Sequence, residues 1–84
     1  MQNDWRLTNQ MKYLFRARIM KAIFEGTATN DHEHCEFCWA KFGEDEGSLK
    51  SGYCTLDRYH WICDECFRDF NKQFEWDFSR ELDI

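Results

Sequence analysis

The chain has 84 residues, 32% of them charged, with eight Phe, four Trp, three Tyr and a formal net charge of −5. At this length a domain buries only about 60 to 65% of its unfolded surface, so the chain reads as one domain, 1–84, that needs a staple besides its apolar core. No run nears the roughly 18 apolar residues of a membrane span, and the start "MQNDWRLTNQ" lacks the basic-then-apolar layout of a signal peptide, which makes the cytoplasm the expected location.

Residues 1–24 carry five basic side chains and one acidic one, whereas the remainder carries six basic and fifteen acidic. Within this basic arm "LTNQMKYLFRARIMKAIF" contains no Gly or Pro and many good helix formers, and Gly26 follows to stop a helix. One helix over Leu7 to Phe24 is the expectation. At 100° per residue Leu7, Met11, Leu14, Phe15, Ile19, Ala22 and Ile23 share one arc, and Tyr13, Met20 and Phe24 form a second apolar strip opposite. The first arc reads as core, the second as a strip that the rest of the domain wraps.

The small polar stretch 25–31 reads as a loop. It leads into a zinc module over 32–76, whose first cluster is "HEHCEFC". Residues 43–52, "GEDEGSLKSG", make a second, acidic loop with a solvated tip. After it "YCTLDRYHWI" carries aromatic and β-branched residues on both sides of Asp57 and Arg58, the pattern of a short β-hairpin. From Asp64 onward Phe67, Phe70 and Phe74 fall on one face of a second helix, with Asp64 as its expected N-cap.

Chemistry is carried by the cysteines. Cys35 and Cys38 are followed, 24 residues later, by Cys63 and Cys66. In a reducing compartment such pairs read as metal ligands rather than as disulfides. Four thiolates in two CxxC pairs suit one tetrahedral zinc ion per chain, because a two-residue spacer lets both sulfurs of a pair reach one ion about 2.3 Å away. The order knuckle, hairpin, then CxxC at a helix start gives a small α+β, zinc-stapled domain of treble-clef type, with a plain zinc ribbon of two hairpins as the alternative. Cys54 is left over as a buried or edge thiol. His32 or His34 could replace a cysteine as ligand, and His60 reads as a half-buried strand histidine.

His34, Glu36, Cys63 and Cys66 also fit H-x-E…C-x-x-C, the zinc deaminase signature. That reading lacks the usual proline before the second pair. It also ignores Cys35 and Cys38, whose thiolates would close the position a catalytic water needs. A thioredoxin-like role fails too, since neither pair follows a strand in a βαβ unit.

The linear pattern resembles a family of small bacterial proteins. The likeness rests on Trp5-Arg6-Leu7-Thr8-Asn9-Gln10, on Asp31-His32-Glu33-His34-Cys35-Glu36-Phe37-Cys38-Trp39-Ala40-Lys41-Phe42, and on Tyr59-His60-Trp61-Ile62-Cys63-Asp64-Glu65-Cys66-Phe67. It implies zinc at the four paired cysteines, does not extend to Cys54, and brings no activity with it.

The expected function is therefore a non-enzymatic, zinc-stabilised interaction module, of the inhibitor or immunity type, that covers a basic surface on a protein partner. The alternative is a nucleic-acid-binding zinc module in which Arg16, Arg18 and Lys21 meet phosphate and Trp39 or Trp61 stacks on a base. An acidic chain is a poor default binder of phosphate, which favours the first.

Overall fold

A computed structural model describes residues 5–27 and 31–78. In chain order it contains a short helix α1 (Met11–Leu14), strands β1 (Arg18–Ile23), β2 (His32–His34), β3 (Lys41–Gly43), β4 (Ser51–Thr55) and β5 (Trp61–Ile62), the helix α2 (Asp64–Phe74), and a last strand β6 (Asp77–Phe78). Four strands make one sheet in the order β5-β4-β1-β6, and β2 pairs with β3 in a second. The result is a small mixed α+β domain.

The long N-terminal helix is overturned. The chain keeps helical form only over α1, passes through Phe15 in an extended conformation, turns at Arg16 with φ at 62°, and becomes the sheet strand β1. The polar groups that a helix would have paired internally go elsewhere. Arg16 donates its N–H to the Phe74 carbonyl at 2.7 Å, Asp77 N–H reaches the Ala17 carbonyl at 3.0 Å, and the Trp76 indole N–H takes the Leu14 carbonyl at 2.8 Å. Helix propensity is worth tenths of a kcal/mol per residue, and these long-range bonds with burial outweigh it.

The two apolar strips of the helical reading are explained by the strand. Successive strand residues point to opposite faces, so Met20, Ala22 and Phe24 share one face and Ile19, Lys21 and Ile23 the other. Leu14, Ile19, Ala22 and Phe24 are buried, but Met11, Tyr13, Phe15 and Ile23 are exposed. Strand β1 pairs antiparallel with β4, Met20 opposite Cys54 and Ala22 opposite Gly52, and parallel with β6. At Gly52 an added Cβ would lie 2.7 Å from Phe42 Cε2 and 2.8 Å from the Ile62 carbonyl, so the close packing of Phe42 on β4 depends on the missing side chain.

The expected hairpin is present as β4 and β5, with Tyr53 opposite Ile62 and Cys54 opposite Trp61. Its turn lacks glycine and is held by Asp57, whose Oδ1 accepts from the Thr55 hydroxyl at 2.5 Å and the Tyr59 N–H at 3.0 Å. Arg58 takes the left-handed conformation, φ 62°. The second helix also forms. Its N-cap is Cys63 rather than Asp64, which lies instead in the acidic first turn with Glu65. Glu75, with φ at 52°, ends it, and the chain then enters β6 rather than extending the helix; the rest of the C-terminal stretch, 79–84, lies outside the described residues. So do residues 1–4 of the arm and 28–30 of the first loop.

One apolar cluster joins these elements. Phe37, between the first two cysteines, is 1% exposed, with its ring 4.8 Å from Phe70, 5.4 Å from Phe74 and 5.9 Å from Trp76. It anchors the β2–β3 turn against α2, and that contact brings the two CxxC pairs together.

Candidate metal centre

Cys35 and Cys38 lie in the turn between β2 and β3, and Cys63 and Cys66 at the start of α2. The turn is fixed by Cys35 N–H to the Ala40 carbonyl at 2.8 Å and Trp39 N–H to the Cys35 carbonyl at 3.1 Å. It is tied to the hairpin by Glu36 N–H to the Trp61 carbonyl, 2.8 Å. With both backbones held, the four Sγ atoms lie within 4.8 Å of one another.

The spacing fits an ion and not a disulfide. The nearest recorded sulfur contact, Cys38 to Cys63, is 3.6 Å, far beyond an S–S bond of about 2.05 Å. Sulfurs at the corners of a tetrahedron about 2.3 Å from one metal stand roughly 3.8 Å apart. Backbone donors converge on the sulfurs as they would on thiolates. Phe37 N–H and Cys63 N–H each reach Cys35 Sγ at 3.4 Å, and Cys66 N–H reaches Cys63 Sγ at 3.5 Å. The start of α2 adds the positive end of its dipole.

The thiols titrate as a cluster. Donation from Cys63 and Cys66 pulls the Cys35 thiol far below the ordinary cysteine range. Its anion in turn holds the proton on Cys63, pushed up to about 12, and raises Cys66 as well. A bound divalent ion would displace the protons that Cys63 and Cys66 hold.

The cation beside the cluster has no linear signal in the chain. Arg6 Nη1 donates to Cys66 Sγ at 3.5 Å and to Asp69 Oδ2 at 3.1 Å, with its guanidinium 4.5 Å from the centre of the Phe70 ring. Four thiolates around a divalent ion leave a charge of −2, which this guanidinium partly offsets. Buried Gln10 seats the segment: its Oε1 accepts from Thr8 N–H at 2.6 Å, and its Nε2 donates to the Arg6 and Glu36 carbonyls at 2.8 and 2.7 Å. Phe37 was more legible, since a large apolar residue inside a CxxC loop invites burial.

The other singled-out residues lie outside the cluster. His32 Nδ1 pairs with Asp31 Oδ1 at 2.8 Å, and the His34 ring sits 6.2 Å from that of Trp39. Glu36 turns its carboxylate away from the sulfurs, accepting from the Tyr13 hydroxyl at 2.9 Å and meeting His60 Nδ1 at 2.8 Å. Burial, and then the bond to Glu36, push the Tyr13 phenol up to about 12. His60 is half-buried as expected, in the bend before β5 rather than in a strand. Cys54 is fully buried in β4, where burial pushes its thiol up to about 11. The basic side chains Arg16, Arg18 and Lys21 are each ion-paired, to Glu75 at 3.1 Å, Asp77 at 3.6 Å and Asp64 at 3.5 Å.

Among the described residues no helix is long and apolar enough to cross a membrane. No family model matches the chain, and neither the curated proteins nor the solved structures give a match.

Proposed function

We propose that the protein is a non-enzymatic interaction module, stapled by one structural zinc ion at Cys35, Cys38, Cys63 and Cys66, that binds a basic surface of a protein partner in the cytoplasm. The observation that carries this reading is the donor set: four sulfurs within 4.8 Å of one another supply every ligand a tetrahedral zinc takes, which would leave no position for a reacting water. A tetrahedral all-thiolate set suits zinc or iron, and zinc is the ion we assign. A knuckle between β2 and β3, a β4–β5 hairpin and a CxxC that opens α2 follow one another as in a treble clef, the finer architecture we assign to the module. The motif likeness to small bacterial proteins points the same way.

The acidic balance favours a basic partner through complementary potential and steered encounter. Pairing of Arg16, Arg18 and Lys21 with acidic side chains weighs against the nucleic-acid reading, because a cation already neutralised releases fewer counterions from phosphate. Affinity capture of the zinc-loaded chain from cell lysate, with and without nuclease, tests the choice. A protein partner that survives nuclease and elutes with salt is expected. Capture that disappears with nuclease would overturn the protein-partner reading in favour of nucleic acid.

A further inference from the structure

Away from the cysteines, the end of β1, strand β2 and the β4–β5 turn enclose a cleft of about 440 Å³. Its lining combines aromatic rings with carboxylates: Phe24, Tyr59 and Trp61 beside Glu25, Glu33 and Asp57, with Arg58 as the single cation. Phe24 and Trp61 are buried side chains of the core, their rings 5.3 Å apart and edge to face, so this part of the lining is rigid. Tyr59 is the opposite case, 68% exposed. Its ring stands 4.8 Å from that of the half-buried His60, which stands 4.8 Å from that of Tyr13, so the three rings form a row.

Polar groups already in use narrow what can enter. The Trp61 indole N–H is spent on the Arg58 carbonyl at 3.0 Å, and Asp57 uses Oδ1 to hold the turn. Glu25 and Asp57 beside Arg58 leave the described lining net negative. Aromatic faces attract a cation through the ring quadrupole. A planar guanidinium satisfies both features at once, stacking on a ring while its N–H groups reach carboxylates, which a compact ammonium does less well.

We propose that this cleft receives one arginine side chain of the basic protein partner, with Tyr59 as the exposed aromatic wall and Asp57 and Glu25 as the acceptors. The inference rests on the interaction reading above and names the place on the surface where that reading acts. Tyrosine beside a preformed cavity is the kind of residue that dominates protein interfaces.

The test is a titration of the zinc-loaded, isotope-labelled full chain with a blocked tripeptide bearing a central arginine, and with its citrulline counterpart, a neutral near-isostere. Saturable shifts at the Trp61 indole N–H and the Tyr59 amide, with the arginine peptide only, are expected. Asp57→Asn keeps an oxygen for the turn, and combined with Glu25→Gln it should weaken binding about tenfold, the loss of a charge-assisted hydrogen bond. Arg58→Gln removes a like charge and should tighten binding. No saturable shift, an equal response to citrulline, or shifts centred on the acidic tip 44–46 would overturn the cleft. Repeating the capture with Tyr59→Ala separates the two claims. A partner retained equally by Tyr59→Ala overturns the cleft and leaves the interaction reading standing, whereas a wild type that captures no protein defeats that reading while the arginine titration still decides the cleft.

Discussion

Arg6 is the residue whose role is least visible in the chain and most open to measurement. It lies 60 positions from Cys66, so only folding shows that its guanidinium reaches the sulfur. Groups that hydrogen-bond to metal ligands typically contribute 10- to 100-fold in metal affinity. Arg6→Met keeps an apolar stem against Phe70 and removes the charge. It should weaken zinc binding roughly tenfold, at the lower end of that range because the guanidinium is shared with Asp69. Competition with a chromophoric chelator reads this directly, and unchanged affinity would reduce Arg6 to a packing residue. The four cysteines, by contrast, are legible without any structure, because a two-residue spacer is a covalent constraint that survives in every fold.

At the scale of elements, legibility follows the range of the interactions that decide each one. Helix α2 is read correctly because Phe67, Phe70 and Phe74 repeat at helical spacing; Phe70 and Phe74 are each 1% exposed. Phe70→Ala should therefore cost about 3 to 5 kcal/mol, measured by equilibrium unfolding of the zinc-loaded protein. A loss under about 1 kcal/mol would place the ring outside the core. Strand β1 is misread because "RIMKAI" sets its apolar residues at 19, 20, 22 and 23, a helical spacing rather than the alternation of a strand. What decides it is the edge of β4 and the chain's return as β6, partners that lie 28 or more residues away. Backbone chemical shifts over Arg18–Ile23 should be those of a strand, with the Met20 and Ala22 amides, which face β4, slow to exchange. Helical shifts through this segment would restore the arm and contradict the sheet. Strands β2 and β6 escape a sequence reading for a simpler reason: three and two residues carry too little pattern.

For the molecule as a whole, the candidate metal site and the apolar cluster are one structure rather than two. Phe37 lies between two candidate ligands and packs on α2, whose N-cap is a third. Removing a bound ion would leave Cys63 and Cys66 holding their protons beside Cys35. It would also free the β2–β3 turn from the start of α2. Structural zinc in small domains contributes apparent binding free energies of roughly 10 to 16 kcal/mol, more than the whole stability of most domains this size. The most direct test is therefore metal content by elemental analysis, with circular dichroism followed during chelation, on the wild type and on each cysteine-to-serine variant. One zinc per chain is predicted for the wild type and for Cys54→Ser, with zinc lost or greatly weakened in Cys35→Ser, Cys38→Ser, Cys63→Ser and Cys66→Ser, and cooperative loss of structure when the wild type is chelated. A chain that purifies without metal and keeps its spectrum and its cooperative unfolding in chelator would contradict the zinc staple.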